Sequence, residues 1–341
     1  MRGLGFYRTH TVKEISYLRS HLYIHISVFL WGFTAILGKL ISYGSLPLVA
    51  HRMLITAAVY FCIPSVWKYV KQTPKTTLIK LWLIGIVVSA HWITFYGSIK
   101  MGNSVSITLA CLGMASFFTS LFEPWITRKP FQKQEIVSGL IVVVGVALIS
   151  FSLPAPSQGN LSYSWALGLG IVSASFAALF STLNKKYISH AHPLSISSIE
   201  MLSGAVTLSV ILVLFFPEQR GIIPQFEPDR FDWNNLQNGA LDLVWLLLLS
   251  IACTNLTFYL ATIALKQLSA FTSNLTINLE PVYGIILGIF VFKENQDLNF
   301  TFYLGTLIIL CAIFVNIYIQ RKQRKNAAHN PKSTESLSEG I

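Results

Sequence analysis

Glu280 stands near the middle of Leu268–Phe292 (LSAFTSNLTINLEPVYGIILGIFVF), an otherwise apolar stretch long enough to cross a bilayer. An acid at mid-membrane has to be paired, wetted or protonated. It can therefore exchange a proton or pair with the amine of a solute; the competing reading is a structural carboxylate bonded to a neighbouring helix. Pro281 beside it removes a backbone hydrogen bond, which predicts a bend. Asn278, two residues earlier, points elsewhere on the helix, and Asn274, four before Asn278, aligns with it. Asn255, with Thr254, is a hydrogen-bonding candidate of the same kind in an earlier apolar run.

Arg52 and Glu200 form a second set. Each adjoins a Met in an apolar run, HRM and IEM, which suggests a cross-repeat salt bridge or gating contact, with a structural role as the simpler reading. Glu123, followed by Pro124, is expected to bend or end its helix and to pair with Arg128. Among the aromatics, Trp92 and Tyr96 share one helical face, and His91 and Phe95 another. Trp92 and Tyr96 are placed to stack on an organic solute, and Trp31 to do the same; an aromatic packing stripe is the alternative.

Enzyme constellations do not appear: there is no Walker lysine motif, no HExxH and no nucleophile elbow. No cofactor and no metal site are expected. Cys62, Cys111, Cys253 and Cys311 fall singly in apolar runs, with no CxxC, and read as small packing residues. The net charge of +11 does not point to nucleic acid, because the basic residues lie mostly between apolar runs.

These residues need elements to position them. Of 341 residues, 53% are hydrophobic and 11% charged, against roughly 25% charged in soluble domains, so the bilayer is the expected solvent. Ten spans are predicted, at about 22–38, 46–67, 78–99, 103–126, 134–152, 163–183, 194–216, 241–264, 268–292 and 300–319. The first lacks a small-residue cleavage signal and reads as a retained span. With a cytoplasmic N-terminus, nineteen Lys and Arg fall on the cytoplasmic side and five outside, so both termini are expected in the cytoplasm. Loop 217–239 then lies outside, as a cap or a ligand lid, and 321–341 is a disordered basic tail.

Residues 153–162, rich in Pro, Ser and Gly, divide the chain into 22–152 and 163–320, five spans each, after a cytoplasmic segment 1–21. Weak parallels recur in order: Gly139 with Gly305, and Met114 with Pro281. Two consecutive copies of an odd number of spans must be inverted, the arrangement on which alternating access is often built. The fold class expected is an all-α polytopic membrane protein of ten transmembrane helices in two inverted five-helix repeats.

The segments FLWGFTAILGK, HRM, ITLACLGMASFFTSLFEP, GLIVVVGVALI, LEPVYGIILGIFVFKE and LGTLIIL, in that order over about residues 22–320, resemble the EamA-type branch of the drug/metabolite transporter superfamily. The resemblance implies an inner-membrane, multi-pass carrier with a central cavity lined mainly by spans 1, 3, 4, 6, 8 and 9. Similar proteins export amino acids, metabolites or drugs, or carry nucleotide sugars or triose phosphates. One departure stands out: Gly113-Met114 in the first half corresponds to Glu280-Pro281 in the second, which puts a mid-membrane acid in one copy only. The expected function is a secondary transporter of a small organic metabolite, acting as an exporter, with the lipid bilayer as partner, proton coupling open through Glu280, and a monomer or homodimer as the unit. A polytopic membrane enzyme, a lipid-handling protein and a regulator acting through loop 217–239 are the alternatives.

Overall fold

A chain in lipid has to satisfy its backbone groups internally, and the apolar runs do so as helices. The computed structural model describes residues 16–128, 130–152, 161–216, 233–277, 279–292 and 299–329. Its elements are α1 (Tyr17–Leu40), α2 (Ser45–Phe61), α3 (Pro64–Gln72), α4 (Lys75–Gly102), α5 (Val105–Leu112), α6 (Ala115–Thr127) and α7 (Lys133–Ser152), then α8 (Leu161–Tyr187), α9 (Pro193–Phe215) and α10 (Trp233–Ser250). A π-helical turn, Ile251–Leu256, joins α10 to α11 (Thr257–Ala264), followed by α12 (Ala270–Ile277), α13 (Glu280–Phe292) and α14 (Phe300–His329). Asn278, linker residues 153–160, loop residues 217–232, the N-terminal residues 1–15 and the tail from 330 lie outside the described residues.

Local chemistry sets the boundaries. Ser16 Oγ accepts from the Arg19 backbone N–H at 3.3 Å, so α1 starts at Tyr17, ahead of the expected Leu22. The tight third-to-fourth join is made by Asn103, in the left-handed region at φ 45°, and by Ser104, whose Oγ caps α5. The expected span 46–67 is not continuous: α2 stops at Phe61, and Pro64 opens α3 after a 91° bend. Proline fits the first helical turn, where its missing N–H leaves no bond unmade.

Two further spans are discontinuous. Pro281 does not kink a continuous helix; it sits in the first turn of α13 after a break from α12. The corresponding point of the first half breaks too, without proline. Gly113 N–H bonds to the Ala110 carbonyl at 3.1 Å and Met114 N–H to the Cys111 carbonyl at 3.0 Å, a tightening that ends α5 before α6 begins.

Among the described residues, six helical stretches are long and apolar enough to cross a membrane, seven if α2 and α3 count as one bent span, and α13 and the start of α14 are shorter apolar helices. Length and composition thus give six or seven of the ten spans expected. Leu18, Trp125, Phe215, Phe290 and Phe314 are exposed on the outside, the apolar surface a lipid-facing bundle presents. Inside, α4 packs on α8 and α9, α2 on α9, α1 on α11 and α13, and α7 on α14. Small residues allow the closest crossings. A Cβ on Gly145 would lie 2.9 Å from the Gly305 carbonyl oxygen, and one on Gly85 2.4 Å from that of Glu200.

Candidate functional site

The two helix breaks meet at a cavity of about 90 Å³. A single water needs roughly 10–15 Å³ on that measure, so several waters or a small organic molecule fit. Leu112 and Ala115 flank the first break and Ile277 and Glu280 the second, and all four line it. Its aromatic wall comes from Trp31 of α1, Trp92 and Phe95 of α4, Phe180 of α8 and Phe258 of α11. The polar groups on the wall include Arg52 of α2, His91 of α4, Asn184 of α8 and Thr262 of α11.

Arg52 is the fixed cation. Only 2% of it is exposed, and taking a charge out of water costs several kcal/mol after relaxation. Its Nε donates to Thr254 Oγ1 at 2.8 Å and its Nη1 to Tyr96 Oη at 2.7 Å. The guanidinium lies over the Trp92 ring, 3.8 Å from the centroid. Hydrogen bonds from a charged donor contribute about 1.5–3 kcal/mol each and a desolvated cation–π contact about 2 kcal/mol, so these contacts hold the arginine ionised. The π-helical turn makes the first bond available. It re-registers span eight so that Thr254 meets Arg52 while Thr254 Oγ1 itself donates to the Leu249 carbonyl, five residues back, at 2.7 Å.

Glu280 is the complementary anion, 4% exposed, and among the described residues its carboxylate accepts no hydrogen bond. Its charge and that of Arg52 interact across the cavity. It begins α13, where the helix dipole favours an anion by about 0.3–1 kcal/mol, up to ~2 kcal/mol when partly buried. That is less than the several kcal/mol an ionised carboxylate loses on burial. Water, a proton or a ligand cation in the cavity must supply the rest. An aromatic chamber with a held guanidinium and a carboxylate without a donor suits a small molecule carrying both charges.

The family model of the EamA-like transporter family matches residues 18–151 and, separately, 164–318. The chain belongs to that family. Relatives include an uncharacterized transporter, YetK, of Bacillus subtilis (strain 168), 26% identical over 225 residues, which are 66% of this chain and 61% of that protein. An uncharacterized transporter of Archaeoglobus fulgidus is 22% identical over 193 residues, 56% of this chain and 66% of that protein. The matches thus span a little under two thirds of the length of these curated relatives. A solved crystal structure superposes with a TM-score of 0.64 at 14% identity, covering 89% of this chain and 98% of that one, a likeness of fold. The family is one of membrane transporters and both relatives are named as transporters, which points away from an enzyme.

In this member of the EamA-like transporter family, Trp31, Trp92 and Glu280 reach the cavity. Trp31 is fixed by its Nε1–H donating to Thr257 Oγ1 at 2.8 Å. Tyr96 does not line the cavity; it is fully buried behind Arg52 and packs against Gly38. Asn255 is also off the wall. Its Nδ2 donates to the Thr56 carbonyl at 3.0 Å and its own carbonyl accepts from Tyr60 Oη at 2.6 Å, which pins the π turn to α2. Asn274 lies on α12, and Asn278 is outside the described residues. The suggested Arg52–Glu200 bridge is not formed: Arg52 bonds Thr254 and Tyr96, and Glu200 accepts from Asn184 Nδ2 at 3.2 Å. Glu123 is buried on α6, one turn before Arg128 ends that helix at φ 58°. Asn184 and the π turn were not singled out in the sequence. Asn184 carries the signal of a polar side chain in an apolar run, whereas nothing in ACTN marks a widened turn.

Proposed function

We propose that this membrane transporter is a secondary carrier for a small zwitterionic organic solute, of amino-acid type with an apolar or aromatic side chain, working by alternating access and exporting its substrate. The observation that carries the reading is the pair Arg52 and Glu280, opposite charges on one aromatic cavity with no hydrogen bond joining them. Arg52 receives the solute carboxylate, Glu280 the ammonium group, and the aromatic wall the side chain.

Alternating access draws support from the two ends of the bundle. The cavity extends toward the end where α8 and α11 finish, at Asn184 and Leu265. The opposite end is tied. Asp242 of α10 accepts from the Ser42 N–H at 2.9 Å and from the Ser42 hydroxyl, and Lys100 of α4 donates to the Ile41 carbonyl. With both termini cytoplasmic, as the positive-inside bias favours, the open end faces the cytoplasm, the uptake side for an exporter in the inner membrane. The separate family matches, the paired helix breaks and the like-for-like packing of α2 on α9 and α7 on α14 support ten spans in two inverted repeats, 22–152 and 163–320.

The test is flux in proteoliposomes against a panel of amino acids, amines, carboxylates and neutral metabolites, with and without an imposed proton gradient. Zwitterions are expected to move fastest. Preference for a phosphate ester or a neutral sugar would overturn the reading.

A further inference from the structure

Glu200 takes no part in the chamber chemistry above, yet it is a wholly buried acid at 0% exposure. It lies where α9 crosses α4 most closely, with Gly85 against its backbone, so water has no space beside the main chain there. Oε2 accepts from Asn184 Nδ2 at 3.2 Å, and Oε1 has no hydrogen-bond partner. The Asn184 Oδ1 is likewise buried without a partner. From α2, Tyr60 is near enough to interact with the charge of Glu200, and Tyr259 of α11 lies near Tyr60. The cationic and imidazole groups of the adjoining helices are committed elsewhere: Arg52 to Thr254, Tyr96 and Trp92, and His91 of α4 to Ser173. Lys185 of α8 donates to the Leu265 and Leu268 carbonyls, and Lys80 of α4 lies over the Tyr187 ring. His192, before α9, stacks on Tyr69 of α3.

A fully buried carboxylate with a single amide donor is badly compensated, because one hydrogen bond does not offset the loss of hydration. A carboxylic acid in the same place needs only one acceptor for its proton, and the free amide oxygen of Asn184 is an acceptor of that kind. Asn184 also lines the cavity, so the acid adjoins the solute chamber through one side chain.

We propose that Glu200 is the proton-carrying site of this transporter, loaded in the conformation described, and that Asn184 links its proton to occupancy of the cavity. The proposal rests on the carrier reading above. When solute enters the chamber from the side to which this conformation opens, the Glu200 carboxyl O–H bond breaks and its proton passes to water on that side. When the chamber faces the other side, the carboxylate takes a proton from water there. One proton then crosses per cycle, opposite in direction to the solute.

Two measurements test it. Infrared spectra of the protein in lipid at neutral pH are expected to show a protonated-carboxyl C=O band that Glu200→Gln removes and Glu280→Gln leaves. Asn184→Leu, which deletes the amide at similar volume, is expected to shift that band, and it serves where Glu200→Gln folds poorly. An identical band in wild type and Glu200→Gln overturns the proposal. In proteoliposomes with L-phenylalanine as probe, Glu200→Gln is expected to lose acceleration by a pH gradient while keeping gradient-free counterflow. Gradient-driven flux equal to wild type, or a sodium gradient replacing the proton gradient, overturns it. If wild type moves no phenylalanine, the aromatic zwitterion reading fails, and the infrared comparison alone decides whether Glu200 holds a proton.

Discussion

Arg52 is held by three contacts that lysine cannot reproduce together: a bond to Thr254, a bond to Tyr96, and a planar stack on Trp92. Arg52→Lys keeps the charge and loses the fork and the stack. Initial rates of phenylalanine counterflow are expected to fall about tenfold for Arg52→Lys and further for Arg52→Ala, since one charge-assisted hydrogen bond is worth about 1.5–3 kcal/mol. A rate for Arg52→Lys equal to wild type would remove the arginine from the binding site. Trp92→Phe is expected to weaken apparent affinity less than Trp92→Leu does, because a phenyl ring keeps part of the cation–π attraction of ~0.5–2 kcal/mol. The intramembrane charges were legible because charge inside an apolar run is rare. Their partners were not, since contacts such as Arg52–Thr254 join residues 202 apart in the chain. Tyr96 and Trp92 share a face by spacing, yet Arg52 fills the space between Tyr96 and the cavity, a distinction that helical periodicity does not carry.

At the scale of elements, caps and close crossings make the testable claims. His192 Nδ1 accepts from the Leu194 N–H at 3.2 Å and caps α9, and the ring stacks on Tyr69 with centroids 3.6 Å apart. Burial, then the nearby Lys266 charge, lowers its pKa to about 4. The unfolded chain therefore takes up the proton first, so the cap's contribution is intact above pH ~6.5 and is lost as pH falls toward about 4. Thermal unfolding in detergent is expected to be less acid-sensitive over that window in His192→Asn, which keeps a capping oxygen. An unchanged acid slope would contradict this. At the α4–α9 crossing, Gly85→Ala places a methyl 2.4 Å from the Glu200 carbonyl oxygen. Overpacking of this kind costs about 1–3 kcal/mol, read as a lower unfolding temperature; an equal or higher temperature would mean that the crossing yields. The six or seven long spans could be read from apolar run length, but not the bend at Pro64 or the break at Gly113–Met114. A proline between spans is compatible with either a continuous or a turned helix, and glycine alone does not predict where a helix tightens.

For the whole molecule, the claim is that one end of the bundle is tied while the cavity serves the other. The tie is local enough to trap. A Ser42→Cys, Asp242→Cys pair is expected to block flux on oxidation and to recover it on reduction, because the two side chains already touch. Full flux in the oxidised pair would show that this end does not have to part. The apolar exterior and the duplicated order of motifs were visible in the sequence, whereas the meeting of the two helix breaks at one cavity depends on packing across the halves. The most direct test compares wild type and Arg52→Ala with three probes of one shape: L-phenylalanine, its amide, and 3-phenylpropionate. Wild type is expected to favour the zwitterion over both, and Arg52→Ala to lose the preference for phenylalanine over its amide. An unchanged preference in Arg52→Ala would contradict the assignment of the cavity as a zwitterion site.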